Sequence, residues 1–260
     1  AMAKSAFVFN DTTYYEGART AAAFILDKMI KKGRLYRSFK DGNTKTQAFL
    51  EDYAFFIAAL IDLYEAGFDI EYLEKAVAFT QTANTLFADK ENGGYFMVAN
   101  DGSQLIAKER PASDNAIPSG NSVMLMNLVR LYEYTLDEGY RKQAQNLIET
   151  FSGQIRGNPP LFSTMLKGVN LYFDSPKEIV FAFSENDNPE KYLDIVRNSW
   201  LPGRSVAIVN EENAKRLADT VPFAFGKRAL NNASTVYVCE NGVCKLPVTT
   251  PEAFKKMLGN

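Results

Sequence analysis

The chain has 260 residues, 46% of them hydrophobic and 23% charged, with a formal net charge of −2 and no histidine. That length can bury one large core or two smaller ones, and the near-neutral balance gives no basic field for nucleic acid as a partner. No apolar run approaches the ~20 residues that span a bilayer, and the lack of histidine excludes a Ser-His-Asp triad, a Cys-His dyad or a histidine zinc site within this chain.

The opening residues, AMAKSAFVFND, are too short and too polar at their end for a signal peptide. They read as an inner helix cut in the middle, which places any targeting segment upstream and leaves the cytoplasm as the default compartment. From Asp11 to Met29 the apolar residues Tyr15, Ala18, Ala22, Ile25, Leu26 and Met29 fall on one face, which predicts an amphipathic helix. Residues 46–65, with AFLEDYAFFIAALIDLYE, are apolar almost all round, so this helix is expected to be buried on every side. A stripe returns over 70–87 through Tyr72, Ala76, Phe79, Ala83, Leu86 and Phe87. Residues 118–134 are again apolar nearly all round, 140–151 carry a stripe, and a last helix of this region starts near Pro159.

One-sided helices thus alternate with fully apolar ones. Outer helices covering an inner ring produce that alternation, whereas a plain bundle gives a stripe on every helix. The expected fold is mainly α: a partial α/α toroid of about seven helices over 1–175, followed by a small α/β segment over 176–260. Inner-to-outer connections look short, at Ala66-Gly67, near Leu136 and over 153–158. Outer-to-inner ones look long, over 33–45 and 88–117, the second with a hairpin expected around Asn100-Asp101-Gly102. The long loops therefore gather at one end of the ring, where binding sites usually lie.

From Lys177 the pattern changes. Short β-branched runs over 178–183, 205–210 and 235–239 alternate with helical stretches near 189–200 and 211–219, which favours a small parallel or mixed sheet. The last run turns back at Asn241-Gly242, a type I′ hairpin signal, and a short helix closes the chain over 249–258. The single tryptophan, Trp200, follows a helix and reads as a core or helix-end anchor.

Several motifs occur in a fixed order: Phe49-Leu50-Glu51-Asp52-Tyr53-Ala54-Phe55, Gly93-Gly94-Tyr95-Phe96, Pro118-Ser119-Gly120-Asn121-Ser122, Tyr237-Val238-Cys239, then Cys244 and Pro247-Val248-Thr249. In order and spacing they resemble the C-terminal region of the YyaL family, thioredoxin-domain-containing proteins with spermatogenesis-associated members in animals. The resemblance implies a helical toroid similar to those of N-acylglucosamine 2-epimerases and six-hairpin glycosidases, with a thioredoxin-like domain and further hairpins upstream. It implies a fragment of a larger ring with a carbohydrate as the ligand or, alternatively, a non-catalytic scaffold supporting a redox or protein-binding role of the thioredoxin-like domain; no cofactor is expected. The sugar enzymes use histidines that this chain lacks. Apolar faces left without their upstream neighbours imply self-association, as a symmetric dimer through the cut edge.

Within this frame, Glu51 and Asp52 stand in the first turn of an inner helix. There they complement the helix dipole, and one of them would face the central funnel as a general acid or base. Adjacent helical residues point about 100° apart, so only one can do so. Tyr53 follows on the same helix as a further candidate for binding the ligand. Ser119 and Asn121 open the next inner helix, as caps or as binders of an anion or sugar, with Asp114 and Arg110 on the same rim. Arg37 and Tyr95 lie in the long loops and line the same mouth. Cys239 and Cys244 flank the hairpin turn on opposed positions. A cross-strand bridge, a redox pair and two packed thiols all fit, free thiols being the default in a reducing compartment. Two cysteines make half a tetrahedral zinc site, so no metal is expected.

Overall fold

The structure, a computed structural model, describes residues 1–102, 108–184 and 189–258. The chain forms two compact units: Ala1–Val129 with Glu138–Tyr172, and Arg130–Asp137 with Phe173–Asn260.

The first unit is built from helices α1 (Met2–Phe9), α2 (Thr12–Lys28), α3 (Leu50–Gly67), α4 (Ile70–Phe87), the start of α5 (Gly120–Thr135), α6 (Glu138–Gly157) and most of α7 (Ser163–Phe173). Asp11 and Asp69 cap α2 and α4 by accepting the Thr13 and Glu71 N–H groups at 2.8 and 3.0 Å, satisfying amides that a helix start leaves unpaired. The apolar pattern sorts the helices into two kinds. Helix α3 buries Leu50, Tyr53, Ala54, Ile57, Leu60 and Ile61 to 1% exposure or less, whereas α2 fully buries only Ala22 and α6 buries one stripe of Tyr140, Ala144, Leu147 and Phe151.

The inner helices lie side by side with their N-termini at one end. Fully buried Asn127 of α5 donates to the Ala54 carbonyl of α3 at 2.8 Å. Gly168 of α7 lets that helix close on Leu125 of α5, where an added Cβ would lie 2.8 Å from the leucine side chain. At the N-terminal end, a Cβ on Gly120 would lie 2.9 Å from Leu50 and 3.3 Å from the Glu51 nitrogen, so α5 starts directly against the start of α3. Asp114 ties α5 to α7: its carboxylate accepts the Ser119 N–H at 3.0 Å and the Thr164 N–H at 2.6 Å.

The connections differ in part from the sequence reading. Helix α3 stays helical through Gly67, where the Tyr15 ring occupies the space a Cβ would need, and the reversal falls on Phe68 at φ +58°. Leu136, at φ +54°, makes the equivalent reversal between α5 and α6. Residues 153–157 belong to α6, because nothing in that stretch breaks the helix. The crossing that follows, through the 3-10 turn Pro159–Phe162, leads from an outer to an inner helix and is short. The loop expected over 33–45 contains two small hairpins, β1 (Ile30–Lys31) with β2 (Arg34–Leu35) and β3 (Phe39–Lys40) with β4 (Asn43–Thr44). Lys32-Gly33 and Asp41-Gly42 turn them at positive φ, the conformation a two-residue hairpin loop demands. The hairpin expected around Asn100-Asp101-Gly102 runs into residues 103–107, outside the described residues. Its flanks meet where the Met97 N–H donates to the Glu109 carbonyl at 2.8 Å.

The second unit holds a mixed sheet of strand order β6-β5-β7-β8, from β5 (Lys177–Ala182), β6 (Ser205–Val209), β7 (Thr235–Glu240) and β8 (Val243–Cys244). Strands β5 and β6 are parallel and are joined through α8 (Glu190–Arg197), while β7 returns antiparallel to β5. Helix α9 (Ala214–Thr220) follows β6, and α10 (Pro251–Met257) ends the described chain. Phe181 packs against Phe254 and Tyr192 with ring centroids 5.5 and 6.0 Å apart, forming the core on one sheet face. Trp200 is no anchor: it is 90% exposed. Helix α8 ends at Arg197, the chain turns at Asn198, and Leu201 takes the buried position that follows.

Two substitutions separate close packing from helix propensity. Gly120→Ala is expected to lower stability by about 1–3 kcal/mol, since the new methyl meets Leu50 and the α3 main chain. Gly153→Ala, on an open face of α6, is expected to raise it by up to about 1 kcal/mol; urea denaturation of both checks the opposite signs. Asp114 gives a pH test. Burial works against its charge, but the Thr164 and Ser119 N–H donors outweigh it and hold the carboxyl below the usual aspartate value of 3.8. Its folded value therefore lies below its unfolded one, so its contribution is present above that value and is lost as pH falls through the depressed one. Asp114→Asn is expected to cost about 1.5 kcal/mol at neutral pH, with the difference from wild type closing as pH drops below 3.8.

Candidate functional site

The end of the first unit where α3, α5 and α7 start gathers the residues that the sequence nominates, but most are already engaged there. Asn121 is fully buried. Its Oδ1 accepts the Tyr95 N–H, and its Nδ2 donates to the Tyr95 and Pro111 carbonyls, each at 2.9 Å. One amide thus satisfies three main-chain groups of the loop between α4 and α5, which otherwise would be buried unpaired. Ser119 is the N-cap of α5: its Oγ accepts the Ser122 N–H at 3.1 Å and donates to the Ala112 carbonyl at 2.9 Å.

The other loop residues are spent similarly. Tyr95 is 4% exposed, and its hydroxyl donates to Asn84 Oδ1 at 2.6 Å; burial holds the phenol far above its ordinary value. Tyr53, 1% exposed, accepts the Leu35 N–H at 2.9 Å and so fixes β2 over α3. Arg110 donates to the Gly93 carbonyl at 2.7 Å and pairs with Asp89 at 3.2 Å. The two long loops are joined by Arg34, whose guanidinium grips both oxygens of Asp101 at 2.7 and 3.0 Å. Neither Arg34 nor Asp101 was nominated by the sequence. Nothing in their spacing, 67 residues apart, signals a bidentate pair.

What remains part-exposed is a charged cluster of Arg37, Glu51 and Asp52. Arg37 pairs with Glu51 at 2.8 Å and stands 3.7 Å from Asp52, with its guanidinium 5.1 Å from the Phe49 ring centre. The side chains of Arg37, Glu51 and Asp52 are 43%, 28% and 23% exposed. The two acids differ in their attachments. Asp52 folds back on the helix start and accepts the Phe49 N–H at 2.8 Å. Burial pushes its carboxyl above the ordinary value, against the Phe49 N–H and the Arg37 charge. Glu51 is held by the flexible arginine. A charged, hydrogen-bonding pair beside an aromatic ring can bind a polyhydroxy compound through hydroxyl donors and ring stacking.

In the second unit, the two cysteines are joined. Cys239 and Cys244 occupy directly opposed positions of β7 and β8, as the Asn241-Gly242 turn sets the register, and a disulfide links them with Cα atoms 3.9 Å apart. Among the described residues, no group of three or more Cys, Asp or Glu side chains is placed to hold a metal ion, and no helix is long and apolar enough to cross a membrane.

Comparison with known proteins adds kinship to this geometry. No family model matches the chain. It is 31% identical over 253 residues to spermatogenesis-associated protein 20 of Homo sapiens, a match covering 93% of this chain and 32% of that protein. The counterpart in Mus musculus is 30% identical over the same shares. An uncharacterised protein of Caenorhabditis elegans is 25% identical over 264 residues, 95% of this chain and 34% of its own. The chain thus spans about a third of the length of the curated relatives it matches. Among solved structures, cellobiose 2-epimerase from Bacillus thermoamylovorans superposes with a TM-score of 0.50 at 16% identity, over 94% of this chain and 63% of that one. That likeness shows the fold: mainly helical, of the α/α toroid class, with inner and outer helices alternating. Over nearly its whole length the chain is similar to spermatogenesis-associated protein 20, and the resemblance of its motifs to the YyaL family of thioredoxin-domain-containing proteins is borne out.

Proposed function

We propose that the loop end of the first unit binds a carbohydrate through Arg37 and Glu51, with the Phe49 ring as a stacking surface. The observation that carries this reading is the contrast in commitment. Tyr53, Tyr95, Arg110, Asp114, Ser119 and Asn121 spend hydrogen bonds on loop main chain or neighbouring side chains, which makes them the frame of the site. The Arg37–Glu51 pair is part-exposed, and its contacts are an ion pair at 2.8 Å, a longer approach of Arg37 to Asp52 at 3.7 Å and the Phe49 ring face. Exposed ion pairs of this kind are weak, so hydroxyl groups can replace them at small cost. A solved neighbour of this fold is named as an epimerase of cellobiose, a disaccharide, which supports a sugar as the ligand class. The reading is of binding. Asp52 is occupied as a helix cap, and the chain has no histidine to act as base or acid.

The second reading is a non-catalytic scaffold beside the thioredoxin-like domain that the family resemblance implies, serving a redox or protein-binding role. The number of loop polar groups satisfied internally favours it.

A thermal-shift screen with free and phosphorylated mono- and disaccharides separates the two. A sugar at about 100 times its dissociation constant adds about 2.7 kcal/mol of stability, a clear rise in midpoint. Glu51→Gln and Arg37→Gln, each alone, are expected to abolish that rise while leaving the unliganded midpoint within a few degrees, because neither residue caps a helix. A rise that survives both substitutions, or a flat screen, moves the function to the scaffold reading.

A further inference from the structure

The disulfide of the second unit sits in a setting that a purely structural bridge does not require. It closes a separation of five residues, a distance the Asn241-Gly242 turn and the β7–β8 pairing already close. As a constraint on the unfolded chain it therefore contributes little that the turn does not. Its surroundings are chemically distinctive. Glu178 of β5 lies directly opposite Cys239, and Cys239 directly opposite Cys244, so the three form one row across β5, β7 and β8 on the same sheet face. Cys239 is 2% exposed, whereas Cys244 is exposed on the edge strand. Lys227 reaches this row: its ammonium lies 3.5 Å from Cys244 Sγ and 4.8 Å from the centre of the Tyr237 ring, two residues before Cys239 on the same face.

We propose that the Cys239–Cys244 bridge is a thiol–disulfide exchange centre for a dithiol partner, entered at Cys244, with Lys227 serving the exposed sulfur and Glu178 the buried one. A thiolate of the dithiol attacks Cys244 Sγ. A bond forms between the two sulfurs, the Sγ–Sγ bond breaks, and the electron pair leaves on Cys239. Glu178, directly opposite Cys239 across β5 and β7, supplies a proton to that buried sulfur; burial raises the affinity of this carboxyl for its proton, in spite of Lys227. The second thiol of the partner, as thiolate, then attacks the partner's own sulfur in the mixed disulfide and releases Cys244 as thiolate beside the Lys227 ammonium. The dithiol ends as a disulfide and the protein bridge as two thiols, two electrons having passed. Run in reverse, the reduced pair reduces a partner disulfide, with Cys244 as nucleophile. Access decides which sulfur is attacked, and a neighbouring cation raises the thiolate fraction.

The test uses the full 260-residue chain. Dithiothreitol without denaturant is expected to release two thiols, counted by maleimide mass shift. With a neutral dipyridyl disulfide as probe, Cys244 in Cys239→Ser is expected to react at least about tenfold faster than Cys239 in Cys244→Ser, since a buried thiol is inert. Adding Lys227→Gln to Cys239→Ser is expected to slow Cys244 about threefold, a tenfold loss of thiolate per pKa unit being partly offset by greater nucleophilicity. Glu178→Gln is expected to slow reduction of the intact bridge while leaving Cys244 in the Cys239→Ser background unchanged, which a general loss of fold would not do. A bridge that resists millimolar dithiothreitol in the native protein, equal rates at the two cysteines, or an unaltered Cys244 rate without Lys227 overturns the proposal.

Discussion

The loop end of the first unit depends on one buried amide. Asn121 stands one residue into α5, is fully buried, and holds the main chain at both Tyr95 and Pro111. From Tyr95 the order spreads outward: two residues on, the Met97 carbonyl accepts the Leu50 N–H at the start of α3, and the Met97 N–H reaches Glu109. From Pro111 it passes through Ser119 and Asp114 to the start of α7. A side chain with two donors and an acceptor is the smallest device that can satisfy three main-chain groups at once. In a dry setting each bond is strong and each loss expensive. Three inner helices therefore present their N-termini at one end in a fixed arrangement, and the positions of Glu51 and Asp52 follow from it, while Arg37 is set by its own loop through the Thr46 carbonyl.

Much of this was legible in the sequence. The all-round apolar character of 118–134 foretold a helix with no exposed face, because hydrophobic periodicity reports burial directly. The same reading of 46–65 holds for most of α3 but not for the face carrying Phe55 and Ala59, which is exposed. Asn241-Gly242 set Cys239 opposite Cys244, because a two-residue turn leaves only one register; the disulfide between them was one of three open states, with free thiols the default. The small hairpins over 30–44 were missed although Lys32-Gly33 and Asp41-Gly42 carried the signal, since strands of two residues show no alternation. Trp200 was misread for a related reason: its helix ends three residues earlier, and periodicity says nothing beyond a helix end.

The site was legible as a list and illegible as a division of labour. Polar residues in long loops mark either a ligand surface or the means by which a long loop is held, and both uses select the same residue types. Ser119, Asn121 and Tyr95 could be sorted only by seeing whether their donors and acceptors were already spent. Glu51 and Asp52, adjacent in sequence, separate for a geometric reason: Asp52, at the third helical position, can reach back to the Phe49 N–H, and Glu51 cannot. Likewise, no local signal marks Lys227 or Glu178 as neighbours of the cysteines: the sheet order places Glu178 beside Cys239, and the segment before β7 carries Lys227 to Cys244.

The most direct test of the account is amide hydrogen exchange on the full chain, comparing wild type with Asn121→Ala. If Asn121 organises the loop end, protection is lost together at Tyr95, Met97 and Leu50, far along the sequence from the substitution, while the sheet strands β5, β6 and β7 keep theirs. Loss confined to the residues next to 121, with Met97 and Leu50 as protected as before, would contradict it.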